Sequence, residues 1–272
     1  MSQFTGNIAI LGSGNIGISL AKGLVKANYA QASQITLTRR NVSNLNTLAE
    51  RGFLVSADNA SAVAAADIVV LAVLPQQLNQ LLDQIRPAVD GQKQVFISVA
   101  SGVSCIDIRS KLGEEVQVIR AMPNTAIAIG QSMTCVATDN ASKENVEEVV
   151  RMFETVGAAV KINEDLMTAA TALCACGIAF FLRAIRAASQ GGVEIGFHAD
   201  EALKMAVQTA KGAADLLLQM QSHPEQEIDK VTSPKGCTIA GLNEMEHNGF
   251  SSSLIKGIKL SALQAGALYK KD

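Results

Sequence analysis

Tryptophan is absent from this chain, tyrosine occurs only twice, and charged residues make up 18% of the 272 residues. The formal net charge is −2, so lysine and arginine are not in excess. Nucleic acids and anionic membranes attract basic surfaces, and the composition therefore argues against both as partners. No basic segment precedes the first apolar run, residues 8–11, which is far too short for the apolar region of a signal peptide. We expect a protein that acts on a small molecule.

The chain also has few residues that bind metals or form disulfides. Its five cysteines are an odd number without metal-ligand spacing. Cys174 and Cys176 are two residues apart on a predicted helix, so their thiols point to different faces. We expect free thiols in a reducing cytoplasm and no metal site. The three histidines lie in the second part of the chain, and no histidine–aspartate pair stands out for the oxidation of a hydroxy acid.

A glycine-rich motif near the N-terminus organises the chain. Residues 8–11 are apolar and of strand character, Gly-x-Gly-x-x-Gly follows at residues 12–17, and a helical apolar pattern comes next. Gly12 allows a tight turn, Gly14 lets phosphates approach the backbone, and Gly17 lets the helix pack on the strand. The helix N-terminus then presents N–H groups to an anion. The motif predicts a dinucleotide site, and a plain strand–turn–helix connection is the alternative.

Strand and helix patterns alternate in the first part of the chain, which indicates a doubly wound parallel sheet of the Rossmann type. We assign this dinucleotide-binding domain to residues 1–163. The predicted strands are residues 8–11, 34–38, 53–55, 67–73, 95–99, 117–121, 133–137 and 159–162. Residues 67–73 are apolar almost without interruption, as expected of a strand that is covered on both faces.

From residue 164 onward the strand pattern stops, and we assign residues 164–272 to an all-helical domain for substrate binding and dimerisation. The predicted helices are residues 165–195, 200–221, 224–231, 238–247 and 251–270, separated by glycine, His-Pro or Ser-Pro. The first helix is apolar on more than one face around residues 166–185. Because it contains Arg183 and many small residues, a membrane span is the poorer interpretation. The helix is either a domain core or a subunit interface, and its small residues favour the interface.

Residues at the carboxyl ends of the predicted strands favour a phosphorylated nicotinamide cofactor. Arg39 and Arg40 end the second strand, where a site for NAD carries an acidic residue and a site for NADPH carries arginine. We therefore expect NADPH, with NADH as a further option. The alternative is that the two arginines are solvated loop residues that do not bind the cofactor. Residues 72–75 and 100–102 also follow strands, at the edge where open α/β sheets bind ligands.

Two later segments offer polar groups to a ligand. Asn124 follows a strand in a Met-Pro-Asn-Thr turn, where its amide can bond the nicotinamide or a substrate, or simply form the turn. Ser233 precedes a proline and leads into a helix that begins near Ile239. Gly236 can adopt a positive φ there, and free N–H groups with the Thr238 hydroxyl can hold a carboxylate. The alternative is that Thr238 only caps the helix.

The residues favour reduction of an imine over oxidation of an alcohol. No lysine lies between Lys161 and Lys204, the stretch in which a β-hydroxyacid dehydrogenase carries its catalytic lysine. A protonated C=N bond is already electrophilic, so hydride transfer to it needs mainly substrate positioning, a carboxylate anchor and one proton donor. The polar groups of the two later segments can meet these needs.

Together, these motifs resemble those of the pyrroline-5-carboxylate reductase family, and the resemblance runs along essentially the whole chain. The most specific pieces are Arg-Ala-Met-Pro-Asn-Thr at residues 120–125 and Ser-Pro-x-Gly-x-Thr at residues 233–238. They accompany the glycine motif at residues 12–17, Leu-Ala-Val-x-Pro at 71–75 and His-Pro at 223–224. The resemblance implies an oxidoreductase of proline biosynthesis that acts on CH–NH bonds and reduces 1-pyrroline-5-carboxylate with NAD(P)H. It also implies a helical domain that interlocks with a second subunit, as a homodimer or a ring of dimers.

The matching motifs also imply roles for individual residues. The cofactor-binding residues would be Gly12, Ser13, Gly14, Asn15, Ile16, Gly17, Arg39, Arg40, Asn59, Ala72, Val73, Leu74, Ala100 and Asn124. The substrate-binding residues would be Ser233, Gly236, Cys237 and Thr238. The last three of these would hold the substrate carboxylate. Thr238, near the ring nitrogen, would be the catalytic residue that supplies or relays a proton.

Several positions depart from the family pattern. Leu74 stands for the lysine of Val-Lys-Pro, and Lys235 stands for a glycine of Ser-Pro-Gly-Gly. Residues 174–180 differ from the family's Ser-Gly-Ser-Gly-Pro-Ala-Tyr, and Arg186 and Gln190 occupy positions that tend to be acidic. The alternatives are therefore a reductase of a different cyclic imino acid or keto acid, or a catalytically silent NADPH-binding assembly protein.

Overall fold

The computed structural model describes residues 3–269, and its centre is one eight-stranded sheet. The strands are β1 (Ile8–Leu11), β2 (Ile35–Thr38), β3 (Leu54–Ser56), β4 (Ile68–Leu71), β5 (Val95–Ser98), β6 (Gln117–Met122), β7 (Ser132–Ala137) and β8 (Gly157–Lys161). Their order across the sheet is β3-β2-β1-β4-β5-β6-β7-β8. The part from β3 to β6 has the doubly wound order, which reverses between β1 and β4. The predicted fold class is confirmed.

Neighbouring strands run parallel throughout this sheet except for β6 and β7, which pair antiparallel. The connection between these two strands contains only a short 3-10 helix, Thr125–Ile129. A parallel pair needs a crossover connection of a dozen or more residues. Because this connection is shorter, β7 runs back along β6.

Helices flank the sheet in the first part of the chain. They are α1 (Asn15–Lys26), α2 (Asn46–Ala49), α3 (Asn59–Ala64), α4 (Pro75–Ile85), α5 (Cys105–Leu112), α6 (Lys143–Glu154) and α7 (Met167–Ala170). The sequence pattern does not predict α5, since the helical periodicity of its apolar residues is weak. A capping box does mark its start: Ser104 and Asp107 each accept a hydrogen bond from the other's backbone N–H.

Two apolar clusters pack on the faces of the sheet. Successive residues of β1 alternate between them, with Ile8 and Ile10 in one cluster and Ala9 and Leu11 in the other. All of β1 is buried, which is the arrangement of a strand covered on both faces. α1 packs in the first cluster and α4 packs in the second. The helices thereby hold the carboxyl ends of the central strands in fixed positions.

Contacts divide the chain into two compact units. The first unit contains residues 3–176 and 260–269, and the second contains residues 177–259. The predicted domain boundary after residue 163 follows the last strand, whereas the contacts pass to the second unit after Cys176. That domain boundary stays a prediction.

The second unit is helical. It consists of α8 (Gly177–Glu194), α9 (Ala199–Met220), α10 (Pro224–Lys230), α11 (Cys237–His247) and the larger part of α12 (Phe250–Ala265). The predicted helix at residues 165–195 is divided into α7, a π-helical segment at Thr171–Cys176, and α8. Within the second unit, α8 and α9 pack against each other.

The stretch Glu164–Glu194 is long and apolar enough to cross a membrane, and its most apolar 18-residue window has a mean hydropathy of 1.8. Only 22% of its most apolar window is buried within the chain. Large apolar side chains are exposed elsewhere in the second unit too, among them Ile195, Phe197, Leu218, Met220 and Ile255. An exposed apolar surface of this extent is typical of a surface that another protein chain covers. It supports the interpretation of this stretch as a subunit interface.

The last described residues pack in the first unit. Gly102 has φ +78, and a Cβ on it would lie 2.7 Å from the Ala265 carbonyl oxygen. Tyr269 packs against the second apolar cluster, and its hydroxyl donates a hydrogen bond of 2.6 Å to Asn79 Oδ1 on α4. The chain therefore leaves the first unit before α8 and returns to it within α12.

Candidate functional site

A cleft of about 810 Å³ lies at the carboxyl ends of β1, β2, β4 and β5, where the strand order reverses. Open α/β sheets bind their ligands at this point. The predicted cofactor residues that line it are Gly12, Ser13, Gly14, Asn15, Ile16, Arg39, Arg40, Asn59, Ala72, Val73, Leu74 and Ala100. Gly17 and Asn124 lie outside the lining. The structure thus brings most of the predicted cofactor residues to one place.

The three glycines of the motif are required for different reasons. Gly12 has φ +95, and a Cβ on it would lie 2.7 Å from the Ala72 carbonyl oxygen. A Cβ on Gly17 would lie 2.8 Å from the Gly12 carbonyl oxygen, so Gly17 permits α1 to pack closely on β1. A Cβ on Gly14 would meet no atom within 4 Å. Packing within the protein explains Gly12 and Gly17, whereas only the space in the cleft explains Gly14.

The N-terminus of α1 opens onto the cleft. Gly14 is the N-cap residue, and no side chain makes a capping hydrogen bond there. Asn15 and Ile16, which begin the helix, line the cleft. Uncapped N–H groups at the positive end of a helix dipole form a binding site for a phosphate.

Arg39 and Arg40 make the cleft positively charged. Both are exposed, and neither forms an ion pair among residues 3–269. Arg39 Nη1 donates a hydrogen bond of 3.3 Å to the Ser13 carbonyl oxygen, which directs the guanidinium across the glycine motif. The lining contains no aspartate or glutamate. The charge of the two arginines is therefore available to an anionic ligand.

A row of hydrogen bonds runs through the lining. The Thr38 hydroxyl donates to Asn59 Oδ1 over 2.6 Å, and Asn59 Nδ2 donates to Gln84 Oε1 over 2.9 Å. Gln77 and Gln80 also line the cleft from α4. The three glutamines are not among the residues predicted from the sequence. Their spacing of three and four residues, which places them on one helix face, is the signal that would have identified them.

Asn124 is engaged by groups of the protein itself. Its Oδ1 accepts a hydrogen bond of 3.1 Å from the Ala126 N–H, which caps the turn after β6. Its Nδ2 donates to the Cys174 carbonyl oxygen over 3.3 Å. These are the contacts of a turn-forming asparagine. The role of Asn124 in cofactor binding stays a prediction.

In the second unit, the predicted substrate-binding residues form the start of α11. The helix begins at Cys237, earlier than the predicted start near Ile239, and Gly236 is its N-cap residue. The positive φ expected at Gly236 is wrong, because Gly236 has φ −72 and Lys235 has φ +58. A non-glycine residue in this left-handed region costs about 1 kcal/mol. The turn therefore places its strained residue where the family pattern has glycine.

Thr238 is the second residue of α11, so the alternative that it caps the helix is wrong. The Gly236 N–H donates to the Ser233 carbonyl oxygen over 2.9 Å. The N–H groups of Cys237 and Thr238 have no hydrogen-bond partner among the described residues. Cys237 is exposed and Thr238 is half-buried. A hydroxyl and two unpaired N–H groups thus lie together at a helix N-terminus.

Three side chains of metal-ligand type, those of Cys105, Asp139 and Glu164, have ligand atoms within 4.8 Å of one another in the first unit. Arg109 pairs with Asp139 at 2.9 Å, and Arg120 pairs with Glu164 at 3.4 Å. Burial, together with the charge of Glu164, raises the pKa of the Cys105 thiol to about 12. The group is an ion-pair network around a neutral thiol, which is poorly suited to bind a cation.

Known proteins match both parts of the chain. Residues 164–268 match the family model for pyrroline-5-carboxylate reductase dimerisation, and residues 7–102 match the model for coenzyme F420-dependent NADP oxidoreductases. The chain is 50% identical to pyrroline-5-carboxylate reductase 1 of Dictyostelium discoideum over 99% of its own length, but it spans only 51% of that relative. It is 48% identical to pyrroline-5-carboxylate reductase 2 of the same organism, over 94% of the chain and 91% of the relative.

Solved structures with the same fold include two reductases. Plasmodium falciparum pyrroline carboxylate reductase, solved with NADP bound, has a TM-score of 0.90 and 23% identity, covering 99% of this chain and all of that one. A pyrroline-5-carboxylate reductase from Coxiella burnetii has a TM-score of 0.91 and 26% identity, covering 98% of this chain. The likeness to the Plasmodium protein is evidence for the fold alone.

Proposed function

This chain belongs to the pyrroline-5-carboxylate reductase family, and on that premise we propose that it reduces 1-pyrroline-5-carboxylate to L-proline with NADPH. The observation that carries the proposal is the cleft where the strand order reverses. There the glycine motif opens onto the N-terminus of α1 beside two arginines, without a carboxylate in the lining. A bound NADPH supplies the hydride that the carbon of the C=N bond receives.

The residues of the cleft fit this cofactor in space and charge. The open space beside Gly14 admits a pyrophosphate, and the N–H groups that begin α1 would bind it. Arg39 and Arg40 would bind the 2′-phosphate that distinguishes NADPH from NADH. The carboxylate that an NAD site has at this point is absent from the lining.

The start of α11 supports the substrate half of the proposal. The unpaired N–H groups of Cys237 and Thr238 would bind the substrate carboxylate, while Ser233 and Gly236 fix the turn by their own hydrogen bond. The Thr238 hydroxyl would supply or relay a proton to the ring nitrogen. The helix restricts the orientation of this residue, and a group in a fixed orientation is well suited to transfer a proton.

The test of the proposed function is consumption of NADPH with racemic pyrroline-5-carboxylate, measured beside NADH and a panel of other cyclic imines and keto acids. We expect saturable turnover of pyrroline-5-carboxylate, with L-proline as the product. Turnover of another imine or keto acid alone would overturn the proposed substrate. Binding of NADPH without turnover of any compound would overturn the proposed activity and favour an assembly protein.

Arg39→Ala tests the cofactor preference. We expect the Kd for NADPH to rise about 10- to 100-fold, because a charge-assisted hydrogen bond contributes about 1.5–3 kcal/mol. The Kd for NADH should change by less than about twofold, since NADH has no 2′-phosphate. Fluorescence titration with each cofactor measures both constants. Arg51→Ala is the matched control, because Arg51 is also exposed but lies outside the cleft lining. Equal losses of affinity for NADPH and NADH would contradict the assignment.

We also propose that the helical unit joins copies of this chain, as a homodimer or as a higher homo-oligomer such as a ring of dimers. A groove of about 610 Å³ in this unit has a mainly apolar lining that includes Phe180, Phe181, Met245 and Leu254. Burying such side chains against a second copy would stabilise the assembly. Light scattering measures the mass in solution, and a monomer at micromolar concentration would contradict the proposal.

All five cysteines are free, which supports a cytoplasmic location.

A further inference from the structure

Two cysteines that are distant in the sequence lie side by side in the first unit. Cys135 is on β7, Cys174 is in the π-helical segment Thr171–Cys176, and their Sγ atoms are 3.8 Å apart. Cys135 is buried, with 4% of its surface exposed, whereas Cys174 is half-buried. A buried cysteine alone behaves as a small apolar side chain. Two thiols in contact, one of them only half-buried within the chain, can undergo a reaction that neither undergoes alone.

We propose that Cys135 and Cys174 form a redox-active dithiol, in which Cys174 reduces a hydroperoxide and Cys135 then closes an intramolecular disulfide. In the first step, the Cys174 thiolate attacks a peroxide oxygen and the O–O bond breaks. Cys174 becomes a sulfenic acid, and the leaving oxygen takes up a proton. In the second step, the Cys135 sulfur attacks the Cys174 sulfur, the S–O bond breaks, and the oxygen leaves as water with the Cys135 proton. With hydrogen peroxide, two thiols are oxidised and two water molecules form.

The environment of the pair assigns these roles. The hydrogen bond between the two thiols lowers the pKa of the Cys174 thiol, and this effect outweighs that of burial. The same hydrogen bond and burial raise the pKa of the Cys135 thiol. The thiolate is the nucleophile in thiol oxidation, so Cys174, which is also the more exposed, reacts first. Its reaction with peroxide should accelerate as the pH rises through the lowered pKa of this thiol, because the thiolate fraction increases there.

The two sulfur atoms must approach each other before a disulfide can form. A disulfide needs a separation of about 2.0 Å, so the gap must close by somewhat less than 2 Å. Cys174 lies in a π-helical segment, a departure from the α-helix that occurs frequently at functional sites. The hydrogen bond from Asn124 Nδ2 to the Cys174 carbonyl oxygen links this segment to the turn after β6. The disulfide would link the π-helical segment covalently to β7.

The other cysteines provide the control. Cys176 is two residues from Cys174, and no sulfur contact joins it to another cysteine in the described residues. Cys176→Ser is therefore expected to leave the oxidation of the pair unchanged. Cys174→Ser removes the nucleophile, and Cys135→Ala removes the resolving thiol with a side chain of apolar character that suits the buried position.

The experiment treats the full chain with hydrogen peroxide and maps the cysteines by peptide mass spectrometry under non-reducing conditions. We expect a Cys135–Cys174 disulfide within single chains, two fewer titratable thiols, and full reversal by dithiothreitol. Both thiols should be lost at least about tenfold more slowly in Cys174→Ser, and Cys135→Ala should accumulate a sulfenic acid at Cys174 that dimedone traps. Circular dichroism checks that each variant is folded.

The absence of the Cys135–Cys174 disulfide in the oxidised wild-type chain would overturn the proposal, and this result needs no variant. In Cys176→Ser we expect the Cys135 and Cys174 thiols to be oxidised at the wild-type rate. A slower oxidation of these two thiols in Cys176→Ser would also overturn the proposal. The measurement follows thiols and not turnover. Its outcome is therefore independent of the proposed reductase activity.

Discussion

Thr238→Ala is expected to lower the kcat for pyrroline-5-carboxylate by about 100-fold, because a positioned proton donor contributes about 10²–10⁴-fold to a rate. Thr238 lies at the start of α11 beside two unpaired N–H groups, which would orient the substrate by its carboxylate. The Kd for NADPH should change by less than about twofold, since Thr238 is not part of the cleft lining. Steady-state kinetics and a fluorescence titration measure the two constants.

Thr238→Ser is the matched control for this prediction. Serine keeps the hydroxyl and the backbone N–H, so most of the kcat should be retained. A serine variant as slow as the alanine variant would remove the assigned role of the hydroxyl. Equal losses in kcat and in NADPH affinity for Thr238→Ala would do the same, because they would indicate a general disturbance of the protein. Thermal unfolding of each variant identifies such a disturbance directly.

Gly12→Ala is expected to destabilise the protein by about 2–4 kcal/mol. Gly12 has φ +95, which a side chain disfavours, and the new methyl group would lie 2.7 Å from a backbone oxygen of Ala72. A backbone atom of a buried strand end cannot move away as the end of a flexible side chain can. Urea unfolding measures the loss, and a variant with the stability of the wild type would contradict the prediction.

Gly14→Ala, two residues away, is expected to retain stability and lose cofactor affinity. Gly14 has φ −88, and a Cβ on it meets no protein atom within 4 Å, so the free energy of unfolding should change by less than about 1 kcal/mol. The methyl group would occupy the space that a pyrophosphate needs, and the Kd for NADPH should rise at least about tenfold. NADPH binding at the wild-type Kd would place the pyrophosphate elsewhere in the cleft.

The strongly patterned parts of the fold could be predicted from the sequence. β1 and β4 are covered on both faces of the sheet, and burial on both faces requires an uninterrupted apolar run. The glycine motif could be placed as well, because few other backbones combine a tight turn, an open N-terminus and close helix packing. Arg39 and Arg40 followed from their position at the end of β2.

The remaining features depend on contacts that no local pattern reveals. The direction of β7 follows from the length of its connection to β6, and apolar alternation is the same in both directions. Lys235 has the positive φ, although glycine adopts such a φ at a lower conformational cost. Gly236 is the N-cap residue of α11 and has an extended backbone, so the residue before it takes the left-handed conformation. The contact between Cys135 and Cys174 joins residues 39 positions apart, on elements that only the folded chain brings together.

The first unit cannot be completed until residues 265–269 have left the ribosome. Ala265 packs against Gly102 and Tyr269 bonds to Asn79, and all of residues 177–259 are synthesised before these partners. Domains generally fold as they emerge, starting from the N-terminus. Here the whole helical unit emerges while the sheet still lacks its final contacts beside Ala100, at the edge of the cleft. A nascent chain stalled before residue 260 would lack these contacts, while the exposed apolar side chains of the helical unit had already been synthesised.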